Sequence, residues 1–234
     1  MPRRIAIIQG HPDPGSKRFC HALADAYAQS AVSTGHEVTR IEVARLDFPI
    51  LRTQEDFEHG QLPETLVEAR DSIVSAQHLV IVFPLWHGTM PALLKAFLEQ
   101  VMRPGVALEY RKHGFPRGLL VGRSARIVVT MGMPALIYRL YFRAHGVRGL
   151  ERSVLKFAGM KPVRETLLGT VDAASDAVAR PDERLRQTPY LSLAQHANEP
   201  SNSRARLPVR GNGLGHLEMA IFLASSHFQR IGWK

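Results

Sequence analysis

Short apolar runs alternate along the chain with longer segments in which apolar residues recur every three or four positions. The runs at 5–8 and 79–83 are unbroken and rich in β-branched residues, which is typical of strands buried on both faces of a sheet. The segment 125–131 has a similar character, and 163–168 predicts a last strand. Residues 36–43 alternate between apolar and polar side chains and predict a strand nearer the sheet edge. The pattern therefore predicts five strands.

Helices are predicted between these strands. From Phe19 the apolar positions follow helical spacing as far as Gly35, and Ser16 is placed to cap this helix. A second helix follows Pro91, with apolar residues at i, i+3, i+4 and i+7. Further helices are predicted at 64–76, 152–159 and 172–179, whereas 103–122 is rich in glycine and proline and predicts an irregular excursion.

Alternating strands and helices predict an α/β fold, a doubly wound parallel sheet with helices on both faces. The strand order that fits best is 2-1-3-4-5, the flavodoxin-like form. We expect this domain to span residues 1–187, and the loops after strands one, three and four to lie along one rim. Residues 188–234 are polar and glycine-rich without periodicity, which predicts an irregular, partly disordered tail.

The composition narrows the possible partners. The formal net charge of +9 suits anionic ligands, but the chain has neither a helix-turn-helix signature nor a basic patch interleaved with aromatics, so we expect no nucleic acid partner. A solvated basic surface explains the charge equally well. No apolar run approaches the ~18–20 residues that span a bilayer, and the N-terminus does not resemble a signal peptide. A single cysteine fits a reducing cytoplasm, and no metal-ligand spacing occurs.

The loop after the first strand combines turn formers with positive charge. Residues 10–16 are rich in glycine and proline, and the first helix follows at once. Backbone N–H groups at a helix start suit a phosphate, with Lys17 and Arg18 adding charge and His11 a further donor. Neither GxGxxG nor GxxxxGK[ST] occurs, so dinucleotide and Walker loops are not supported. A plain surface turn remains the alternative.

The loops after the third and fourth strands supply flat, mostly neutral surface at 84–88 and 130–132. A planar ring lying between such loops, with backbone N–H groups aimed at its heteroatoms, describes a flavin site. Trp86 is placed to flank the ring. The alternative is that Trp86 merely covers the core.

Three blocks resemble the NAD(P)H:quinone reductase family of DT-diaphorase-like and modulator-of-drug-activity-like flavoproteins. They are His11-Pro with 16–19, the block FPLWHGTMPALLK at 83–95, and SARIVVTMGMP at 124–134. The resemblance covers about residues 3–170. It implies a bound FMN or FAD, two-electron hydride reduction of quinones by NAD(P)H, and a homodimer with its sites at the subunit interface. Because hydride enters and leaves through one site, ping-pong kinetics are expected.

The resemblance also implies roles for individual residues. The family's phosphate loop matches His11, Ser16, Lys17, Arg18 and Phe19. Its ring-binding loop matches Pro84, Leu85, Trp86, His87 and Gly88, and its third loop matches Thr130, Met131 and Gly132. Tyr138 and His145 fall near the family's Tyr/His pair beside the flavin, and are the candidate catalytic residues.

A second function belongs to another class of protein. Some relatives are ancillary subunits that bind and regulate membrane potassium-efflux systems, and the basic surface with an unusual tail suits docking. In that case flavin would bind without quinone-dependent turnover.

Overall fold

A computed structural model describes residues 2–15, 18–111 and 113–171. The strands are β1 (Arg4–Gln9), β2 (Glu37–Glu42), β3 (His78–Pro84), β4 (Leu108–Glu109), β5 (Arg117–Gly118), β6 (Ser124–Thr130) and β7 (Val163–Leu168). The α-helices are α1 (Phe19–Ser33), α2 (Gln54–Glu58), α3 (Val67–Ser75), α4 (Ala92–Val101), α5 (Ala135–Leu140) and α6 (His145–Gly149). A π-helix, Leu150–Lys156, continues directly from α6.

The five long strands form one parallel sheet in the order β2-β1-β3-β6-β7. This confirms the predicted order 2-1-3-4-5 and the edge position of the alternating strand, which leaves Glu37 exposed at the start of β2. The carboxyl ends of β1, β3 and β6 are neighbours in this order. The loops that follow them therefore meet at one rim, where open α/β sheets place their ligands.

The sheet carries a hydrophobic core on each face because its central strands are apolar on both sides. On one face Ile8, Ile81 and Ile127 pack with α3, α4 and the segment after β6. On the other face Ile7 and Val80 pack against the buried stripe of α1. Among the described helices, α1 is the one that covers this second face.

The structure corrects several details of the sequence prediction. Arg18, not Ser16, is the N-cap of α1, and its side chain makes no capping bond. The glycine-rich excursion at 103–122 contains an antiparallel pair, β4 with β5, because short backbone ladders form without any apolar periodicity. The helix predicted to begin at 152 is a π-helix that starts two residues earlier.

The predicted helix at 172–179 and the tail at 188–234 lie outside the described residues. Within the described parts of the chain, every helix is too short or too polar to cross a membrane.

A polar cluster lies at the amino-terminal end of the sheet, far along β3 from the rim. The His78 ring bonds the Tyr27 hydroxyl at 3.2 Å and the Ser124 hydroxyl at 2.8 Å. Burial, followed by the positive charges of Arg126 and Arg3, lowers the pKa of His78 to about 4. The folded protein therefore holds this imidazole neutral.

We expect this histidine to make the fold acid-sensitive. Below its unfolded pKa of about 6.5 the unfolded chain takes up a proton that the folded chain refuses, so stability falls as the pH drops toward 4. The loss approaches about 3 kcal/mol, and urea unfolding of wild type at several pH values measures it. The His78→Gln variant should lose a large part of this slope, and the exposed control His113→Gln should keep it. An unchanged slope in His78→Gln would show that other groups cause the acid sensitivity.

Candidate functional site

The loop that follows β1 begins with a backbone hydrogen bond to the neighbouring strand β3. The Gly10 N–H donates to the Val82 carbonyl at 2.8 Å. A side chain at position 10 would meet Leu94 of α4, 2.6 Å from its Cδ2 atom, so glycine permits the close approach of this loop to the helix. The loop is thereby fixed beside the end of β3.

His11, in the first loop, lies beside Trp86 of the second loop. Its Nδ1 atom accepts a hydrogen bond from the Asp13 N–H at 3.0 Å, which leaves the proton of the neutral ring on Nε2. The ring centroid lies 6.3 Å from that of Trp86 and 5.5 Å from that of His21. Burial, and next the neighbouring His21, lower the pKa of His11. His11 therefore offers a neutral N–H donor at the rim.

Asp13 is a loop residue that the sequence prediction missed. Its carboxylate accepts the Gly15 N–H at 2.8 Å and forms an ion pair with Arg18 at 2.6 Å. The Gly15 N–H, followed by Arg18, lowers the pKa of Asp13. Arg18, predicted as a phosphate ligand, is thus already paired with a carboxylate. The sequence feature that could have identified Asp13 is its position in the turn-forming sequence Asp-Pro-Gly, where an aspartate accepts a backbone N–H two residues on. Ser16 and Lys17 lie outside the described residues.

The second loop is a tight hairpin. Trp86 and Thr89 exchange both backbone hydrogen bonds at 2.9 Å, and the two residues between them, His87 and Gly88, have φ of 48° and 78°. Two successive positive φ angles define a type I′ turn, in which the second position suits glycine and the first accepts the few side chains, histidine among them, that adopt the left-handed region more readily. Within the described residues the N–H groups of His87 and Gly88 have no backbone acceptor. The Trp86 side chain is 49% exposed on this turn.

Tyr138 holds this hairpin from behind. Its hydroxyl donates to the Gly88 carbonyl at 2.8 Å and accepts the Val147 N–H at 3.4 Å. Tyr138 is fully buried, and burial raises its pKa. The structure thus places this predicted catalytic residue where it positions the loop.

His145 lies next to Gly88 on the exposed side. Its Nδ1 atom is 3.1 Å from the Phe142 carbonyl, and a Cβ built on Gly88 would lie 3.2 Å from the His145 Cε1 atom. The two preceding residues, Arg143 and Ala144, both have left-handed φ angles. Such backbone is costly for residues with a Cβ atom, and it turns α6 toward the hairpin.

The third loop is tied to the second. The Thr130 carbonyl accepts the Leu85 N–H at 2.7 Å, and its hydroxyl lies 3.1 Å from the Cys20 sulfur. Thr130 and Met131 are buried, whereas Gly132 is exposed. Of the predicted third-loop residues, Gly132 is therefore the one that presents its backbone to the rim. Phe19, at the start of α1, is partly buried, and so are Pro84 and Leu85.

The comparisons with known proteins agree with this architecture. Residues 3–188 match the model of the flavodoxin-like fold family. The chain belongs to the flavodoxin-like fold family. Among solved structures, the chain is similar to an NAD(P)H:quinone oxidoreductase from Methanothermobacter marburgensis, to which it is 23% identical. The superposition has a TM-score of 0.65 and covers 84% of this chain and 96% of that chain. At this identity the likeness concerns the fold.

Curated relatives carry names from one class of enzyme. An uncharacterized NAD(P)H oxidoreductase of Haemophilus influenzae is 26% identical over 174 residues, which are 73% of this chain and 85% of the relative. An FMN-dependent NADH:quinone oxidoreductase of Vibrio parahaemolyticus is 32% identical over 143 residues, 58% of this chain and 70% of the relative. Other curated relatives match over about half of their own length, 54% and 51%.

Proposed function

We propose that the chain is an FMN-dependent NAD(P)H:quinone oxidoreductase that carries out two-electron reduction of quinones. The names of relatives at 26% and 32% identity support this proposal. FMN is preferred over FAD because the named cofactor of the Vibrio relative is FMN.

The observation that carries the proposal is the junction of three rim loops. Gly10 bonds β3 and Leu85 bonds β6, so the hairpin stands between the first and third loops. The hairpin N–H groups of His87 and Gly88, which have no backbone acceptor in the described part of the chain, and the half-exposed Trp86 offer a donor surface. Such a surface fits the face and edge of an isoalloxazine ring, and none of the hairpin residues 86–89 carries a carboxylate that would oppose a reduced, anionic ring.

Bound FMN supplies hydride chemistry that no side chain provides. The chain would supply position and charge. Trp86 would flank the ring, and the hairpin N–H groups would stabilise negative charge on it. The Tyr138 hydroxyl, which accepts the Val147 N–H, holds the Gly88 carbonyl of the hairpin, and His145 lies at the edge of the same turn. The phosphate belongs in the first loop with His11, Ser16, Lys17, Arg18 and Phe19. Since one ring serves donor and acceptor in turn, we expect ping-pong kinetics.

We further propose a homodimer built on α5. This helix exposes the apolar side chains of Leu136 and Leu140, and Tyr141, which directly follows it, is 80% exposed. Large exposed apolar surface on a soluble domain marks an interaction site. The inner residue of this helix, Tyr138, bonds the hairpin, so this interface would adjoin the flavin. We also propose a cytoplasmic protein whose flavin domain spans 1–187, followed by the tail 188–234.

Reconstitution tests this function. Purified full-length protein incubated with FMN and desalted should be yellow, and in the absence of oxygen it should oxidise NADH or NADPH through repeated turnovers only when a quinone such as 1,4-benzoquinone is added. In a stopped-flow experiment without quinone, mixing the protein with NADH or NADPH should reduce the bound flavin. Protein that binds neither FMN nor FAD would refute the proposal. Flavin binding without quinone-dependent turnover would favour the regulatory-subunit alternative.

A further inference from the structure

A second histidine lies beneath the first loop, next to His11. His21 is the third residue of α1, and its ring centroid is 5.5 Å from that of His11. Only 7% of its surface is exposed, yet its Nδ1 atom has no hydrogen-bond partner within the described residues. The amide nitrogen of Gln9, at the end of β1 and 1% exposed, has no partner there either. Unsatisfied buried polar atoms are rare and call for an explanation.

The two unsatisfied groups adjoin the predicted phosphate loop. Gln9 immediately precedes this loop, and His21 lies in the first turn of the fifteen-residue helix α1 that follows it. Backbone N–H groups of that turn carry the positive end of the helix dipole. An anion seated here would therefore meet the helix start and the two imidazoles together.

The charges around the two imidazoles come from the loop, α1 and β2. His11 faces Asp13, Arg18 and His21. His21 faces Glu42, Asp25, Asp13 and Arg40. Several of these charges are already paired, Arg18 with Asp13 and Arg40 with Asp25. Burial is the largest influence on both rings and lowers the pKa of each. Near neutral pH both imidazoles are therefore neutral in the protein without ligand.

We propose that His21 and His11 form a two-imidazole seat for the flavin phosphate, and that this seat takes up a proton when the phosphate binds. The inference rests on the proposed function, because it assigns the flavin phosphate to this loop. It adds His21 to the binding site and makes cofactor affinity depend on pH.

The physical reason is the interaction of a dianion with two buried neutral bases. A phosphate monoester carries close to two negative charges near neutral pH. A negative charge within a few ångströms favours the protonated imidazole, so it raises the pKa of the ring that it contacts. The ring then binds a proton from solvent together with the phosphate. By linkage, phosphate-dependent affinity must weaken as the pH rises.

Titration calorimetry in two buffers of different ionisation enthalpy tests this seat in the full-length protein. The probes are FMN and riboflavin, which share the ring and differ in the phosphate. At about pH 7.5 we expect uptake of about half a proton per FMN and none for riboflavin. The FMN dissociation constant should then rise about threefold per pH unit between about pH 7 and 8, while that of riboflavin stays constant.

Two variants show whether His21 is needed for the proton uptake. His21→Asn should lose most of the proton uptake and bind FMN several-fold more weakly at neutral pH, with riboflavin affinity unchanged. The control His59→Asn, at an exposed histidine after α2, should behave like wild type. Wild-type binding of FMN with no more proton uptake than riboflavin would overturn the seat even if His21→Asn fails to fold. Failure of both flavins to bind would instead refute the proposed function.

Discussion

Replacing Gly146 with alanine is expected to weaken FMN binding about tenfold and to lower turnover about a hundredfold, since misplacement by about an ångström can cost that much. A Cβ atom at position 146 would lie 2.3 Å from the Gly88 carbonyl oxygen and 2.7 Å from the Thr89 Cα atom. Ordinary contacts begin near 3.4 Å, so the hairpin must move by about an ångström. That carbonyl is also the acceptor of the Tyr138 hydroxyl, so the hairpin would lose its support.

The matched control is Gly149→Ala in the same helix. Nothing lies within 4 Å of a Cβ atom built there, and alanine favours helix over glycine by up to about 1 kcal/mol. Fluorescence titration with FMN and steady-state quinone reduction measure both variants, and circular dichroism verifies their folding. If Gly146→Ala bound FMN as tightly as Gly149→Ala, the hairpin would not be part of the flavin site.

Replacing Arg103 with alanine is expected to destabilise the fold by about 3 kcal/mol, because hydrogen bonds to a charged group contribute about 1.5–3 kcal/mol each and the buried Gln100 side chain would lose its partner. The Arg103 guanidinium, 6% exposed, donates to the Gly60 carbonyl at 2.7 Å and to the Gln61 carbonyl at 3.3 Å. It also bonds the Gln100 side chain. Gln100 in turn donates to the Pro49 carbonyl at 2.7 Å. The two side chains thus hold the long connection after β2 against α4.

Thermal unfolding measures this effect, and a loss of this size should lower Tm by about 10 °C in a domain of this length. The control Arg111→Ala removes the same charge from an exposed position and should change stability by less than about 0.5 kcal/mol. Equal melting temperatures for the two variants would mean that the connection needs no anchor on α4.

The sequence was most informative where side-chain pattern and burial coincide. The apolar run at 79–83 is a strand with both faces covered, and the stripe of Leu94, Phe97, Leu98 and Val101 is fully buried. Right-handed crossovers then left few strand orders, and the observed order is the predicted one. Hydrophobic periodicity is a local property, so it can be read from the chain without knowing its partners.

The sequence was least informative for polar contacts between distant segments. Nothing local pairs Arg103 with carbonyls some forty residues earlier, and nothing local places the Tyr138 hydroxyl on Gly88, fifty residues away. The short antiparallel pair of β4 with β5 was also not predicted, because backbone hydrogen bonds hold it without an apolar pattern. Such bonds depend on the path of the whole chain.

The sequence by itself determined the parallel sheet, its two buried faces and the three loops at one rim. Only the tertiary structure decided how the residues of those loops are arranged. It paired Arg18 with Asp13, buried Thr130 and Met131, and brought His21 beside His11. The reason is that burial free energy follows the order of apolar residues along the chain, whereas hydrogen bonds and charges act over a few ångströms between residues that only folding brings together.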